Sequence, residues 1–305
     1  AIVQRGVAGI VLPGDIALQP APVKQVSPRS SLVPVAPTTV PDVSQISVLA
    51  NLLNQSKRIT VFAGRGCAGA HSELMELAQV LQSPITHALG GKEHVEYNNP
   101  YDVGMTGFIG FASGYKAMHS CDTLLMLGTD FPYKQFLPSH VQVIQVDIRP
   151  ENLGRRVKLD LGVVGDIKAT LQALIPHLTP KNETDFLKHA LNDYKKSRSG
   201  LDCLAQPGQH AVIHPQYLTR LLSEKANENA VFTADVGTPT VWAARYLEMN
   251  GKRRLIGSFT HGSMANAMPQ AIGIQMAQPQ RQVISLSGDG GFSMLMGDLL
   301  SLKQH

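Results

Sequence analysis

The stretch "ITVFAGRGCAGA", Ile59 to Ala70, decides the fold class. Its first five residues are almost wholly apolar on both alternating faces, the composition of a parallel strand covered on each side. Three glycines follow as G-x-G-x-x-G at Gly64, Gly66 and Gly69, a turn that brings a diphosphate onto a helix N-terminus. Apolar runs recur at 123–127 (TLLML) and 141–146 (VQVIQV), with helical spacing at 72–82, 111–119 and 166–178. Strand alternating with helix predicts an α/β domain over residues 45–180, doubly wound around a parallel sheet.

A second alternation begins at His214: helix 215–227, strand 229–234, helix 239–247, strand 253–258, helix 263–277, strand 282–287 and helix 292–303. Three strands are fewer than the about five or six of an average sheet, so residues 214–305 are expected to be the first part of a second doubly wound domain. Residues 181–213 read as a polar connecting segment with an amphipathic helix near 184–197. Residues 21–44 read as a linker, because prolines at 22, 28, 34, 37 and 41 remove backbone donors and favour extended chain. Residues 1–20, with a short strand at Ile10 to Leu12, read as the remnant of a preceding domain. Both ends of the chain are expected to be cut.

The totals exclude several classes. Hydrophobic content of 43% and charged content of 16% describe a chain with a buried core rather than a disordered one. The net charge of +4 is scattered, so nucleic acid is not an expected partner. Cys67, Cys121 and Cys203 lie far apart with no CxxC pair, so neither a disulfide framework nor a zinc site is indicated. No apolar run reaches the about 20 residues of a membrane span, and a signal peptide is not evident. A cytoplasmic location is expected.

The segment "SLSGDGGFSML" places Gly288, Asp289, Gly290 and Gly291 between a strand and a helix. Bare glycines and a helix start suit a phosphate. A carboxylate beside a phosphate is repulsive unless a cation lies between them, and Mg²⁺ commonly takes one or two carboxylates plus phosphate oxygens. Asp289 is therefore the candidate metal ligand, with Gly290 and Gly291 for a diphosphate. The bland alternative is an Asp that caps an ordinary strand-to-helix turn.

Two further strand-to-helix junctions belong with it, "DVGTPTVWAARYL" (235–247) and "HGSMANAMPQAIG" (261–273). Nearer the start, a nicotinamide dinucleotide site would need an acid about 20 residues after the glycine turn, and "PITHALGG" has none. Asp147, in "VIQVDIRPENLG", ends a later strand where a ribose or adenine edge would lie; its alternative is a cap ahead of Pro150. Lys92, Glu93 and His94 read as loop salt bridging without a catalytic role, and His261 as a packed loop histidine.

The GDGG segment resembles the opening half of the thiamin diphosphate fingerprint, which closes further along with paired asparagines. "GKEHVEYNNPYDVGMTG", "GTDFPYK", "DVGTPTVWAARYL" and "HGSMANAMPQA" resemble bacterial pyruvate oxidases of the quinone-dependent kind, also called pyruvate dehydrogenase (quinone). That resemblance implies a domain for FAD over 45–180, touched by Gly64, Arg65, Gly66, Gly107, Phe108, Ile109, Gly110, Asp130, Phe131, Pro132, Tyr133 and Lys134, with Asp147 and Ile148 near its adenine end. It implies thiamin diphosphate on the second domain, at Gly237, Gly262, Ser263, Met264, Asp289, Gly290 and Gly291, with Met264 supporting a bent cofactor. Gly90, in "HALGGKEH", departs from the pattern, which carries an arginine there.

The implied reaction is decarboxylation of pyruvate to acetate and carbon dioxide, electrons passing through FAD to ubiquinone in a homotetramer that meets the membrane surface through a C-terminal segment. An activating glutamate is implied in a preceding domain, so no residue here is catalytic and the chain by itself is expected to lack turnover. Acetohydroxyacid synthase and a non-catalytic nucleotide-binding module are the rival readings.

Overall fold

The structure is a computed structural model that describes residues 9–20, 37–208 and 212–304. It separates into two compact units, Ala1–Thr39 and Val40–His305. In the first, the described residues hold one short helix, α1 (Gly14–Ala17), behind Pro13 in extended conformation. Ile10, Val11 and Leu12 are 93%, 90% and 65% exposed and form no strand, which corrects the expectation for 10–12: an apolar triplet makes a strand only where neighbouring strands take up its backbone groups. Most of the expected linker, 21–36, lies outside the described residues.

The second unit carries two parallel sheets. Its elements run α2 (Val43–Gln55), β1 (Ile59–Ala63), α3 (His71–Leu81), β2 (Ile85–His87), α4 (Lys92–Val95), β3 (Asp102–Met105), α5 (Ala112–Ser120), β4 (Thr123–Leu127), β5 (Gln142–Asp147), β6 (Leu161–Val164) and α6 (Ile167–Leu174). The first sheet has the order β3-β2-β1-β4-β5-β6, every pairing parallel, so the order in which strands are added reverses between β1 and β4 and opens a crevice at their carboxyl ends. β1 and β4 are buried at all five positions each. Leu49, Leu53, Leu74, Leu77 and Leu171 of α2, α3 and α6 cover one face; Met118 of α5 with Phe131 and Leu137 covers the other. Each such side chain contributes about 1.5–3 kcal/mol by leaving water.

Asp42 and Asp166 accept the backbone N–H of Ser44 and Ala169, so each opens its helix with a cap. β2, β3 and β6 add three strands to those read from sequence; at three or four residues each they are too short for periodicity to declare.

The chain continues through α7 (Asp185–Leu204), longer than the helix expected near 184–197, then α8 (Pro215–Lys225), β7 (Val231–Ala234), α9 (Thr238–Tyr246), β8 (Arg254–Gly257), α10 (Ala267–Ala277), β9 (Val283–Leu286), α11 (Asp289–Met294) and α12 (Leu299–Gln304). β7 is central to a parallel sheet β8-β7-β9. The expected helix 263–277 begins only at Ala267, because Gly262 and Ala265 take positive φ of 70° and 59°. The expected helix 292–303 is two helices, and its first turn starts at Asp289, so Asp289, Gly290 and Gly291 are helical rather than loop.

Candidate functional site

The carboxyl ends of β7, β8 and β9 bring together three segments far apart in the chain. Asp235, directly after β7, is 2% exposed and ties them: its Oδ1 accepts from the N–H of Ala267 at 3.0 Å, and its Oδ2 from the N–H of Gly288 at 3.3 Å. A Cβ on Gly291 would lie 2.3 Å from that Oδ2, so only glycine lets α11 dock there. Asn266 braces the middle segment by donating to the carbonyl of Ser263 at 2.7 Å and accepting the N–H of Ser258 at 3.0 Å.

Around this tie lie the residues singled out in the second domain. Gly237, at φ 111°, precedes α9; Gly262 and Ser263 are exposed in the β8–α10 connection. Met264 is 58% exposed and its Cε lies 3.8 Å from where a Cβ on Gly290 would be. Cβ atoms on Gly262 and Gly288 would meet only Val236 and Pro239, at 3.9 and 3.8 Å, so these glycines line an open cradle that side chains would begin to fill. The first closing bond of α11 runs from Phe292 N–H to the Gly288 carbonyl at 2.8 Å, which leaves the N–H groups of Asp289, Gly290 and Gly291 without intrahelical acceptors. Asp289 is exposed at that turn. Among the described residues no group of three or more His, Cys, Asp or Glu could hold a metal ion by itself; Asp289 would be one protein oxygen on a cation completed by phosphate oxygens and water. Bare backbone donors and one exposed carboxylate fit a magnesium diphosphate.

At the crevice of the first sheet the glycines do something else. A Cβ on Gly64 would lie 2.4 Å from the Gly128 carbonyl oxygen, and one on Gly66 2.6 Å from Gly128 Cα. The Gly66 N–H donates to the Gly128 carbonyl at 3.0 Å. These two glycines join the β1 and β4 turns backbone to backbone. Arg65 is exposed, and a Cβ on Gly90 would lie 3.6 Å from its Nε, so the Arg65 side chain runs over the position where the resembling family carries an arginine.

The remaining candidates divide. Gly107 (φ 107°) and Phe108, 65% exposed, edge a wall in which Phe108 meets Tyr133 and Phe136 edge to face at centroid separations of 4.7 and 5.1 Å. The Thr106 hydroxyl, beside this loop, is buried without a hydrogen-bond partner. Pro132, Tyr133 and Lys134 are exposed. An orphaned donor, an aromatic edge and a bare glycine fit a planar, polar-rimmed ligand such as a flavin. Phe131 instead faces the core, 6% exposed and edge-on to Phe62. The Asp130 carboxylate is taken by Arg156 at 2.7 and 3.0 Å and Arg155 at 3.1 Å. Asp147 Oδ1 accepts from the N–H of Arg149 at 2.9 Å and from the Asn152 side chain at 3.2 Å, the local turn that its alternative reading described; burial raises its pKa above the ordinary value. Ile148, beside it, is 46% exposed.

Sequence reading passed over two links between the sheets. Arg245, in the last turn of α9, donates to the carbonyls of Ile109 at 3.1 Å and Gly110 at 3.5 Å. Glu93 accepts from Arg254 Nε at 2.8 Å and from the N–H of Leu255 at 3.0 Å, and Lys92 pairs with Glu96, so the KEH segment is salt-bridged structure. His261 is exposed rather than packed, in the chain leading to Gly262. Spacing carries no signal for pairs separated by 136 or 161 residues.

The Glu93 link makes one pH prediction. Burial pushes the His94 imidazole below its ordinary 6.5; Glu93 opposes this, and Arg254 and Arg65 add to it. The folded chain thus resists a proton that the unfolded chain accepts, so the contribution is present above 6.5 and is lost as the pH falls below it. His94→Gln is expected to flatten the fall in Tm between about pH 7 and about pH 5; equal slopes in the two proteins would remove His94 from this account. Cys67 is inert by the same physics, its thiol pushed up to about 12 by complete burial.

Comparisons with known proteins identify the family. Residues 46–174 match the central domain of thiamine pyrophosphate enzymes, and residues 235–305 match the C-terminal TPP binding domain of the same family. The chain is 53% identical over 207 residues, 68% of its length and 52% of the relative's, to an "Uncharacterized 42.6 kDa protein in isoamylase 3'region" of Pseudomonas amyloderamosa. It is 33% identical over 97% of its length, and 51% of the relative's, to YdaP of Bacillus subtilis, whose name describes a thiamine pyrophosphate-containing protein. It is 28% identical over its whole length, and 51% of the relative's, to a pyruvate oxidase of Lactiplantibacillus plantarum; acetolactate synthases match at 27–31%. The chain spans about half the length of the curated relatives it matches. With both domain profiles matched in order over about two thirds of the chain, and a relative 33% identical over 97% of it, the chain belongs to the thiamine pyrophosphate enzyme family.

Proposed function

We propose that the whole protein oxidatively decarboxylates pyruvate to acetate and carbon dioxide, with FAD on the first sheet and a quinone, ubiquinone in kind, as electron acceptor. The observation that carries the cofactor half is the docking of Gly288 and Gly291 on Asp235 at the carboxyl edge of the sheet, with Met264 beside Gly290 and the exposed Asp289 in the same helical turn. Bound thiamin diphosphate would supply the electron sink for loss of carbon dioxide from a 2-keto acid, and bound FAD would accept the two electrons released as the remaining two-carbon unit is oxidised, with water supplying the second oxygen of acetate. The chain's own groups would position: Asp289 would hold Mg²⁺, the first-turn N–H groups of α11 would donate to the diphosphate, and Met264 would support the bent cofactor.

The pyruvate oxidase relative and the aromatic edge beside Thr106 support the oxidative half. Acetolactate synthases of similar identity support a second reading, in which the same cradle serves a carbon–carbon bond-forming enzyme. A homotetramer, and a membrane surface as the place where the quinone is met, belong to this proposal; no described helix is long and apolar enough to cross a membrane.

Titration calorimetry with thiamin diphosphate and Mg²⁺ tests the cradle. Asp289→Ala is expected to weaken binding about a hundredfold, about 2.7 kcal/mol, and chelation of magnesium should have the same effect on the unaltered chain. Binding indifferent to both would overturn the cradle. Titration with FAD, ADP and NAD tests the first sheet, and NAD preferred over FAD would sink the flavin half. Quinone reduction against acetolactate formation by the whole protein separates the two reactions.

A further inference from the structure

We infer that Arg245 is a positioning residue which anchors the Gly107–Gly110 loop to α9, so that one helix borders the Asp289 cradle at its start and holds that loop at its end. At the start of α9, Gly237 turns the chain away from Asp235, and the Thr240 hydroxyl donates to the Asp235 carbonyl at 2.6 Å. Eight helical steps of about 1.5 Å later, about 12 Å along the axis, the Arg245 guanidinium reaches two successive loop carbonyls, those of Ile109 and Gly110.

The loop is built to be held this way. Gly110 N–H donates to the Gly107 carbonyl at 2.9 Å, and Phe111 N–H to the Met105 carbonyl at 2.7 Å. A Cβ on Gly110 would fall 2.4 Å from the Met105 carbonyl oxygen, so this turn closes tightly, and two of its outer carbonyls take Arg245 as donor. Ala244, 3% exposed, packs with Met105 and Phe111 at the base of the same loop. The other side of the helix end is fixed as well: Arg198 donates to the Arg245 carbonyl, and the Tyr246 hydroxyl donates to the Leu201 carbonyl at 3.2 Å.

A planar guanidinium with several donors is needed to serve two carbonyls at once, and its charge strengthens each bond. Lysine offers a point charge and one reach. The anchor itself depends only on these contacts; that the anchored loop holds FAD rests on the function proposed above.

Hydrogen exchange separates the two. In Arg245→Ala, the amides of Gly110 and Phe111 should exchange about tenfold faster while those of β7 keep their protection, and Arg245→Lys should lie between. Affinity for FAD should fall about tenfold in Arg245→Ala, with thiamin diphosphate and Mg²⁺ binding within about twofold of the unaltered chain. Unchanged exchange at Gly110 and Phe111 would overturn the anchor whatever FAD does. Should Arg245→Ala lose protection throughout, Arg245→Lys decides: faster loop exchange over an intact β7 supports the anchor, and loop exchange equal to the unaltered chain overturns it. If the unaltered chain fails to bind FAD while the alanine variant loosens the loop, the anchor stands and the flavin reading falls.

Discussion

Asp235→Ala is expected to destabilise the β7–β9 sheet region by about 3 kcal/mol, because it strands a buried backbone donor, loses the three hydrogen bonds its carboxylate accepts and frees three segments from one another. Ala267 is fully buried and its N–H has Asp235 Oδ1 as acceptor at 3.0 Å; the Gly288 N–H uses the other oxygen of the same carboxylate. Asn at 235 keeps one acceptor oxygen but turns an N–H₂ group toward the second donor, so it should lie between the wild type and Ala. Urea unfolding followed by hydrogen exchange reads this directly, with β7 and β9 losing protection before β1 and β4 do. Asp235→Ala as stable as the unaltered chain would mean that the three segments are held by packing alone. Because Asp235 also sets where Gly288 and α11 lie, the same variant should weaken cofactor binding without removing any group that touches it.

Gly128→Ala carries the other large effect, an expected loss of about 3–4 kcal/mol in the first sheet, from strain at positive φ plus overpacking against backbone. Gly128 sits at φ 57°, and a Cβ there would lie 2.5 Å from Gly66 Cα and 2.9 Å from the Gly66 carbonyl carbon, neither of which can rotate away. Gly69 is the control. It has φ 78° but nothing within 4 Å of its Cβ position, so Gly69→Ala should cost only the conformational part, about 1 kcal/mol. Equal urea midpoints for the two variants would show that conformation, rather than contact between the β1 and β4 turns, explains these glycines. Neither site needs a bound nucleotide for this outcome.

The contact of Gly66 with Gly128 also shows how far motif reading goes. G-x-G-x-x-G located the crevice at the end of β1 correctly, and the missing acid in "PITHALGG" argued against nicotinamide. Two of its glycines, however, are spent on the neighbouring turn. Asp130 and Asp147 are similar: each stands at a strand end where ligands bind, yet their carboxylates serve Arg155, Arg156, Arg149 and Asn152. Residue type and edge position are visible in a sequence; which neighbour takes the hydrogen bond is not.

By itself the sequence determined the alternation of strand and helix, the parallel pairing it demands, and the place of the glycines and aspartate 288–291 at a strand-to-helix junction, because strand apolarity, helical spacing and turn glycines are local properties of the chain. Tertiary structure alone decided the reversal of strand order between β1 and β4, the short strands β2, β3 and β6, and the partners of Asp235, Glu93 and Arg245. These depend on groups dozens to more than a hundred residues apart being brought within 3–4 Å, and the free energy of such contacts is set by packing and desolvation rather than by anything a neighbouring residue encodes.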